Sequence, residues 1–261
     1  MPILHHNGAA LFYDVTGSGP ALVFAHGLGG NHLSWWQQVP HFSDRYTCVT
    51  FAHRGFAPST DAPDPLGPRA FADDLAALID HLGLADVRLV AQSMGGWTCL
   101  DYTLRHPARV RGLVLACTVG TLATPELDRR FASGPGGEAE LFAHGIHPAA
   151  GARMAREQPA LHHLYRQIDG LSFGLDKQGI RAELMRLRQV PAEAVAALNV
   201  PVLCLTGAED IVIPPATVEY AATLFPQGQF ARIPEAGHSV YFERPALFNQ
   251  RIDEFLSGLP A

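Results

Sequence analysis

Residues 87–100, VRLVAQSMGGWTCL, place Ser93 between a run of β-formers and a helix-like segment, with Met94, Gly95 and Gly96 directly after it. A serine hydroxyl is a poor nucleophile at neutral pH. It becomes a good one when an imidazole takes its proton and a carboxylate holds that imidazole. A sharp strand-to-helix turn lifts such a side chain clear of its strand and aims the next residue's N–H at the same space. Gly95 would then let helix and strand approach closely. The plainer alternative is that Ser93 only caps the helix.

Thirteen histidines could supply the base. His238, in IPEAGHSVYFERP, stands apart because it follows the strand-like run GQFARI in a small-residue turn ahead of the last helix. A loop at a strand's C-terminal end is within reach of Ser93. For the acid, CLTGAEDIVIPP places Asp210 in the loop after another buried strand, with Glu209 as the neighbour that could replace it. Acyl transfer also needs donors for the developing oxyanion. In FAHGLGGNHLSWW a glycine-rich turn follows a buried strand, which leaves the Leu28 N–H free to converge with the Met94 N–H. His26 is expected to brace that loop. A dinucleotide-binding loop would need glycine where His32 stands, and no phosphate-binding G-x-x-x-x-G-K-[ST] occurs.

These side chains need elements to carry them. Strand patterns run near Ile3–His6 and Ala9–Thr16, then over 21–26, 46–51, 87–92, 110–117, 200–207 and the GQFARI run. The continuously apolar ones read as strands buried on both faces. Helical patterns lie between them: 69–82 with Leu75, Leu78, Ile79 and Leu82 on one face, 94–106 stopped by Pro107, 215–225 and 245–256. Alternation of this kind predicts an α/β fold, a mostly parallel central sheet with helices on both faces and an antiparallel hairpin at its start. The rhythm breaks between residues 119 and 197, which hold Gly/Pro-rich SGPGGE at 133–138 and several helix-like patches. That segment reads as a helical cap insertion over the sheet's C-terminal edge, where open α/β sheets bind ligands. Residues 1–118 and 198–261 then form the core domain.

Composition narrows the classes. The 261 residues are 48% hydrophobic and 17% charged, enough for a sizeable core, and the formal charge of −6 leaves no electrostatic footprint for nucleic acid. Lys177 is the only lysine, so lysine-based covalent chemistry has one candidate. Cys48, Cys99, Cys117 and Cys204 lie far apart in apolar runs and read as buried free thiols. The opening MPILHHNGAALFYDV has no leader-like pattern and no run approaches a membrane span, so a cytoplasmic setting is expected.

Four separated signatures, HGLGG at 26–30, HRGFAPS at 53–59, AQSMGG at 91–96 and GAED…GH from 207 to 238, together resemble the α/β-hydrolase superfamily over essentially the whole chain. Within it the chain is most similar to small serine esterases, 3-oxoadipate enol-lactonases and cofactor-free haloperoxidase-like members. The resemblance implies the α/β-hydrolase fold and a catalytic Ser93, Asp210 and His238 in that order, with Asp210 preferred over Glu209. It implies an oxyanion hole from the Leu28 and Met94 backbone N–H groups, and hydrolysis of a carboxylic ester or lactone with no metal or organic cofactor. A serine nucleophile points away from the dehalogenase and epoxide-hydrolase branches. Relatives usually have D-x-R-G-x-G-x-S where Ala52 and Ala57 depart here, and glycine where Ala91 opens the nucleophile elbow; one added methyl predicts a slightly displaced elbow. Two other functions share the constellation: C–C bond hydrolysis of a diketone-type ring-cleavage product, and a non-catalytic small-molecule receptor with a retained triad.

The remaining features are expectations about the pocket. Trp35, Trp97, Phe131, Phe142 and Tyr165 are candidates to line it, against a plain packing role. His144, His147, His162 and His163 lack the spacing of a metal site. Arg181, Arg186 and Arg188 read as a solvated helix face, with an arginine reaching a substrate carboxylate as the sharper alternative. As partners the reading implies a small-molecule ester or lactone, no nucleic acid and no membrane, and it allows a homodimer.

Overall fold

A computed structural model describes residues 2–134 and 136–260; Pro135 of the Gly/Pro-rich stretch and the two terminal residues lie outside the described residues. Eight strands form one sheet: β1 (Ile3–His6), β2 (Ala9–Thr16), β3 (Ala21–Ala25), β4 (Thr47–Phe51), β5 (Val87–Gln92), β6 (Val110–Ala116), β7 (Val202–Gly207) and β8 (Gly228–Ile233). Their order is β1-β2-β4-β3-β5-β6-β7-β8. β1 and β2 are an antiparallel hairpin, β2 meets β4 antiparallel, and every later pairing is parallel. Each strand expected from the sequence is present to within two residues.

The parallel strands are apolar throughout because both faces are covered. Along β3, Ala21, Val23 and Ala25 pack with the helices Phe71–His81, Gly95–Arg105 and Pro215–Ala222. Leu22 and Phe24 face the other way, toward Phe42, Phe248, Ile252 and Phe255 around the C-terminal helix Pro245–Ser257. Leu75, Leu78 and Ile79 are fully buried as their spacing predicts, while Leu82 is only partly covered. All four cysteines are free and buried.

Between β6 and β7 the described chain is helical: Pro125–Ala132, Glu138–Ala143, Gly151–Glu157, Pro159–Gly170, Lys177–Arg186 and Ala192–Ala196. An isolated parallel bridge between Leu122 and Val190 joins the two ends of this excursion. Thr124 starts the first of these helices by accepting the Leu127 N–H, and Asp176 starts the fifth by accepting the Gly179 N–H. Among the described residues no helix is long and apolar enough to cross a membrane.

Candidate active site

Ser93 immediately follows β5 and has a left-handed backbone, φ 48°. That conformation costs a non-glycine residue about 1–3 kcal/mol, so its surroundings must impose it. Three glycines make those surroundings possible. A Cβ on Gly95 would lie 2.3 Å from the Ala25 carbonyl oxygen, one on Gly96 2.4 Å from Thr118 Oγ1, and one on Gly27 2.0 Å from Gln92 Oε1. The Ser93 N–H donates to Ala116 O at 3.0 Å, tying the turn to β6. Ala91 is fully buried in the sheet beneath. Ser93 is therefore held in a strained turn and is not a plain N-cap; its side chain caps nothing on the following helix.

His238 follows β8 and is buried, with Nδ1 2.8 Å from Asp210 Oδ2. An ionised carboxylate can only accept, so the proton sits on Nδ1 and leaves Nε2 as the basic nitrogen. The other Asp210 oxygen accepts the N–H groups of Val212 at 2.8 Å and Ile213 at 2.9 Å, so the loop after β7 locks the carboxylate in place. Glu209 points away into an ion pair with Arg153 at 2.7 Å. Ser93 and His238 line one pocket. No hydrogen bond joins Ser93 Oγ to His238 Nε2 among the described residues, a contact that in unliganded enzymes is often long and tightens with substrate.

Two residues that the sequence did not single out hold the histidine loop. Gln92 Nε2 donates to the His238 carbonyl at 3.1 Å. Glu243 accepts the N–H of Gly237 at 2.8 Å and of Ser239 at 3.1 Å, the residues on either side of His238. Burial pushes the Glu243 carboxyl up to about 8, against those two donors and with help from the Asp210 charge. The only signal was an acid five residues beyond His238, which no periodicity distinguishes from a surface glutamate.

Cys117 also has a left-handed backbone, φ 51°, at the end of β6. With Asp210 and His238 it is the one group of three metal-ligating residue types among the described residues, its ligand atoms within 4.8 Å of one another. His144, His147, His162 and His163 form no such group among those residues. Burial, then the Asp210 charge, hold the Cys117 thiol well above its ordinary range.

Leu28 and Met94 face the pocket from two elements, and neither N–H has an acceptor among the described residues. Met94 lies at the positive end of the helix Gly95–Arg105. His26 braces the loop from behind: Nδ1 is 2.8 Å from Gly27 O, while Nε2 is 2.9 Å from the His53 N–H. The His53 ring continues to Thr98 Oγ1 at 2.8 Å. Burial lowers His26 to about 4 and holds His53 well below its usual value. The loop that carries Ala52 and Ala57 is fixed by Arg54, which forks onto Asp74 at 2.5 and 2.6 Å and reaches Asp61 at 3.0 Å.

The pocket holds about 340 Å³. Trp97, Phe131, Phe142 and Tyr165 line it, and Trp97 Nε1 donates to Leu184 O at 2.8 Å across to the helix Lys177–Arg186. Trp35 does not line it. That side chain is fully buried, packed on Phe24 and Tyr241 with ring centroids 5.1 and 4.6 Å apart, because the short helix His32–Trp35 turns it under the loop. Arg181 lines the pocket but is paired with Glu138 at 3.2 Å. Arg186 is paired with Glu183, and Arg188 with Asp128.

A family model for the alpha/beta hydrolase fold matches residues 20–245. A Mycobacterium tuberculosis protein with the provisional name non-heme bromoperoxidase BpoC is 32% identical over 96% of this chain and 99% of its own. The 3-oxoadipate enol-lactonase 2 of Acinetobacter baylyi is 26% identical over 97% of each. Among solved structures, a thermophilic esterase from Thermogutta terrifontis superposes with a TM-score of 0.77 at 29% identity, covering 95% of this chain and 93% of that one.

Proposed function

Because the chain belongs to the α/β-hydrolase family, we propose that it cleaves a carboxylic ester or lactone through an acyl-enzyme on Ser93. His238 Nε2 takes the Ser93 proton as Oγ attacks the carbonyl, then returns it to the departing alkoxide. Asp210 holds the Nδ1–H and stabilises the imidazolium. The Leu28 and Met94 N–H groups stabilise the oxyanion, a contribution that reaches about 3 kcal/mol per donor in related chemistry. Water activated by His238 then releases the acid. In a lactone the leaving alkoxide stays tethered, and the same groups serve. Residues 119–197 act as the cap that shapes the substrate cavity.

The observation that carries this reading is the buried His238–Asp210 bond at 2.8 Å beside the same pocket as a left-handed Ser93, which Leu28 and Met94 also line, their N–H groups without acceptors among the described residues. The names of the Acinetobacter enol-lactonase and the Thermogutta esterase support ester and lactone substrates.

A panel of p-nitrophenyl esters and small lactones, assayed with wild type and Ser93→Ala, tests it. Wild type is expected to turn over at least one class and to be labelled by a fluorophosphonate. Ser93→Ala should fold, lose labelling and lose about 10³-fold or more in kcat. Absence of both turnover and labelling in wild type would overturn the reading.

A further inference from the structure

The Ser93 pocket has two kinds of wall. Trp97, Phe131, Leu184, Met185, Val212 and Ile213 are apolar, whereas His147, Asp169 and Lys177 bring three ionisable groups to one place on the cap. Lys177 Nζ donates to Asp169 Oδ1 at 2.6 Å and to the Asp169 carbonyl at 3.0 Å. An ammonium has three N–H groups, so one remains. Asp169 Oδ2 has no partner among the described residues. His147 Nδ1 accepts the Ala149 N–H at 3.2 Å, which puts the ring proton on Nε2, 3.7 Å from Asp169 Oδ1 and beyond a hydrogen bond. The cluster therefore offers two unused donors and one unused acceptor around a pair of zero net charge.

Its position ties it to the reaction. Asp169 packs against the backbone of Gly29, where a Cβ would lie 2.0 Å from Oδ1, and Lys177 Nζ would be 3.6 Å from the same point. Gly29 directly follows Leu28. A group held by the cluster thus sits beside the loop that would cradle the oxyanion, a short chain away from the carbonyl.

We propose that His147, Asp169 and Lys177 form a subsite for a neutral carboxamide on the substrate, its carbonyl accepting from Lys177 or His147 and its N–H donating to Asp169. This rests on the hydrolytic reading of Ser93 and adds a substrate class to it. A carboxylate could reach the unused donors only beside the like charge of Asp169, and an ammonium could reach Oδ2 only beside the like charge of Lys177. A planar group with an acceptor and a donor on the same carbon satisfies both partners without breaking the pair. Hydrogen bonds to charged groups carry more than neutral ones, so the preference should reach about tenfold.

The test uses four matched esters ending in carboxamide, carboxylate, ammonium or methyl, prepared on the acyl arm and again on the alcohol arm. On one arm the carboxamide ester should exceed the other three by about tenfold in kcat/KM with wild type, and in affinity with Ser93→Ala measured calorimetrically. Asp169→Asn keeps the backbone acceptor but removes the charge that balances Lys177, and should shift the preference to the carboxylate ester; Lys177→Met should shift it to the ammonium ester. Equal binding of the four esters on both arms by Ser93→Ala overturns the subsite even where wild type is an active esterase. A carboxylate preference in wild type overturns it too. If wild type hydrolyses none of them while Ser93→Ala still selects the carboxamide, the hydrolytic reading fails and the subsite stands.

Discussion

At the scale of single residues, adjacent carboxylates have opposite surroundings. Asp210 is buried and accepts three hydrogen bonds, from His238, Val212 and Ile213, whereas Glu209 is at the surface with Arg153. Asp210→Asn keeps the volume but offers an amide that can present its NH₂ to His238 Nδ1, favouring the wrong tautomer. It should lower kcat by about 10³–10⁴ with a folded protein. Glu209→Gln should stay within a few-fold of wild type. Near-full activity in Asp210→Asn, in the same ester assay, would mean that another group serves as the acid. The two neighbours look alike in sequence; the direction each side chain takes from the β7 loop separates them.

At the scale of elements, the turn from β5 into the helix Gly95–Arg105 works because two backbones touch. The oxygen nearest a Cβ on Gly95 is the Ala25 carbonyl of β3, which is fixed in a parallel sheet and cannot move aside. Gly95→Ala should cost about 2–3 kcal/mol of unfolding free energy in urea titrations and displace Ser93, lowering kcat with it. The contact between the helices Gly95–Arg105 and Lys177–Arg186 is gentler. Trp97→Phe removes the bond to Leu184 O and about 1 kcal/mol. Its expected signature is a melting temperature lower by about 2–4 °C and a KM raised more than kcat is lowered. An unchanged melting temperature would show that the indole N–H does not fasten the helix Lys177–Arg186 to the elbow.

At the scale of the whole molecule, buried titratable groups shape stability against pH. His26 is lowered from 6.5 to about 4 by burial, and His53 is lowered as well, so the native state binds fewer protons than the unfolded chain. Their contribution is full above pH 6.5 and is lost as the pH falls toward 4, about 3 kcal/mol for His26 alone. Glu243 has the opposite sign. Raised from 4.5 to about 8, it contributes fully below 4.5 and loses that contribution as the pH rises through 8. Between 4.5 and 6.5 the two histidines outweigh the one glutamate, and above 6.5 only the glutamate still changes. The urea midpoint should therefore peak near pH 6.5 and fall on both sides. In Glu243→Gln the decline between 6.5 and 8 should disappear; its persistence would assign the alkaline loss to another group.

Much of this protein was legible one residue at a time. Apolar runs of strand length, helical spacing such as Leu75, Leu78 and Ile79, and glycines at the turns are local properties, and they specified an α/β sheet with Ser93 and His238 in loops at the C-terminal ends of its strands. What lay beyond the sequence depends on which distant side chains meet. Trp35 went into the core and Trp97 to the pocket although both are tryptophans beside a signature. Gln92 and Glu243 became braces of the His238 loop only because the chain closes on itself, 146 residues apart for the first of them. Residues 119–197 carried the least readable pattern, since their helices are short and their polar residues read as solvated. Folding turned Lys177, the one lysine, toward Asp169 and the pocket. Periodicity records which face of an element is buried; it does not record the partner on the other side, and that is where tertiary structure decided the site.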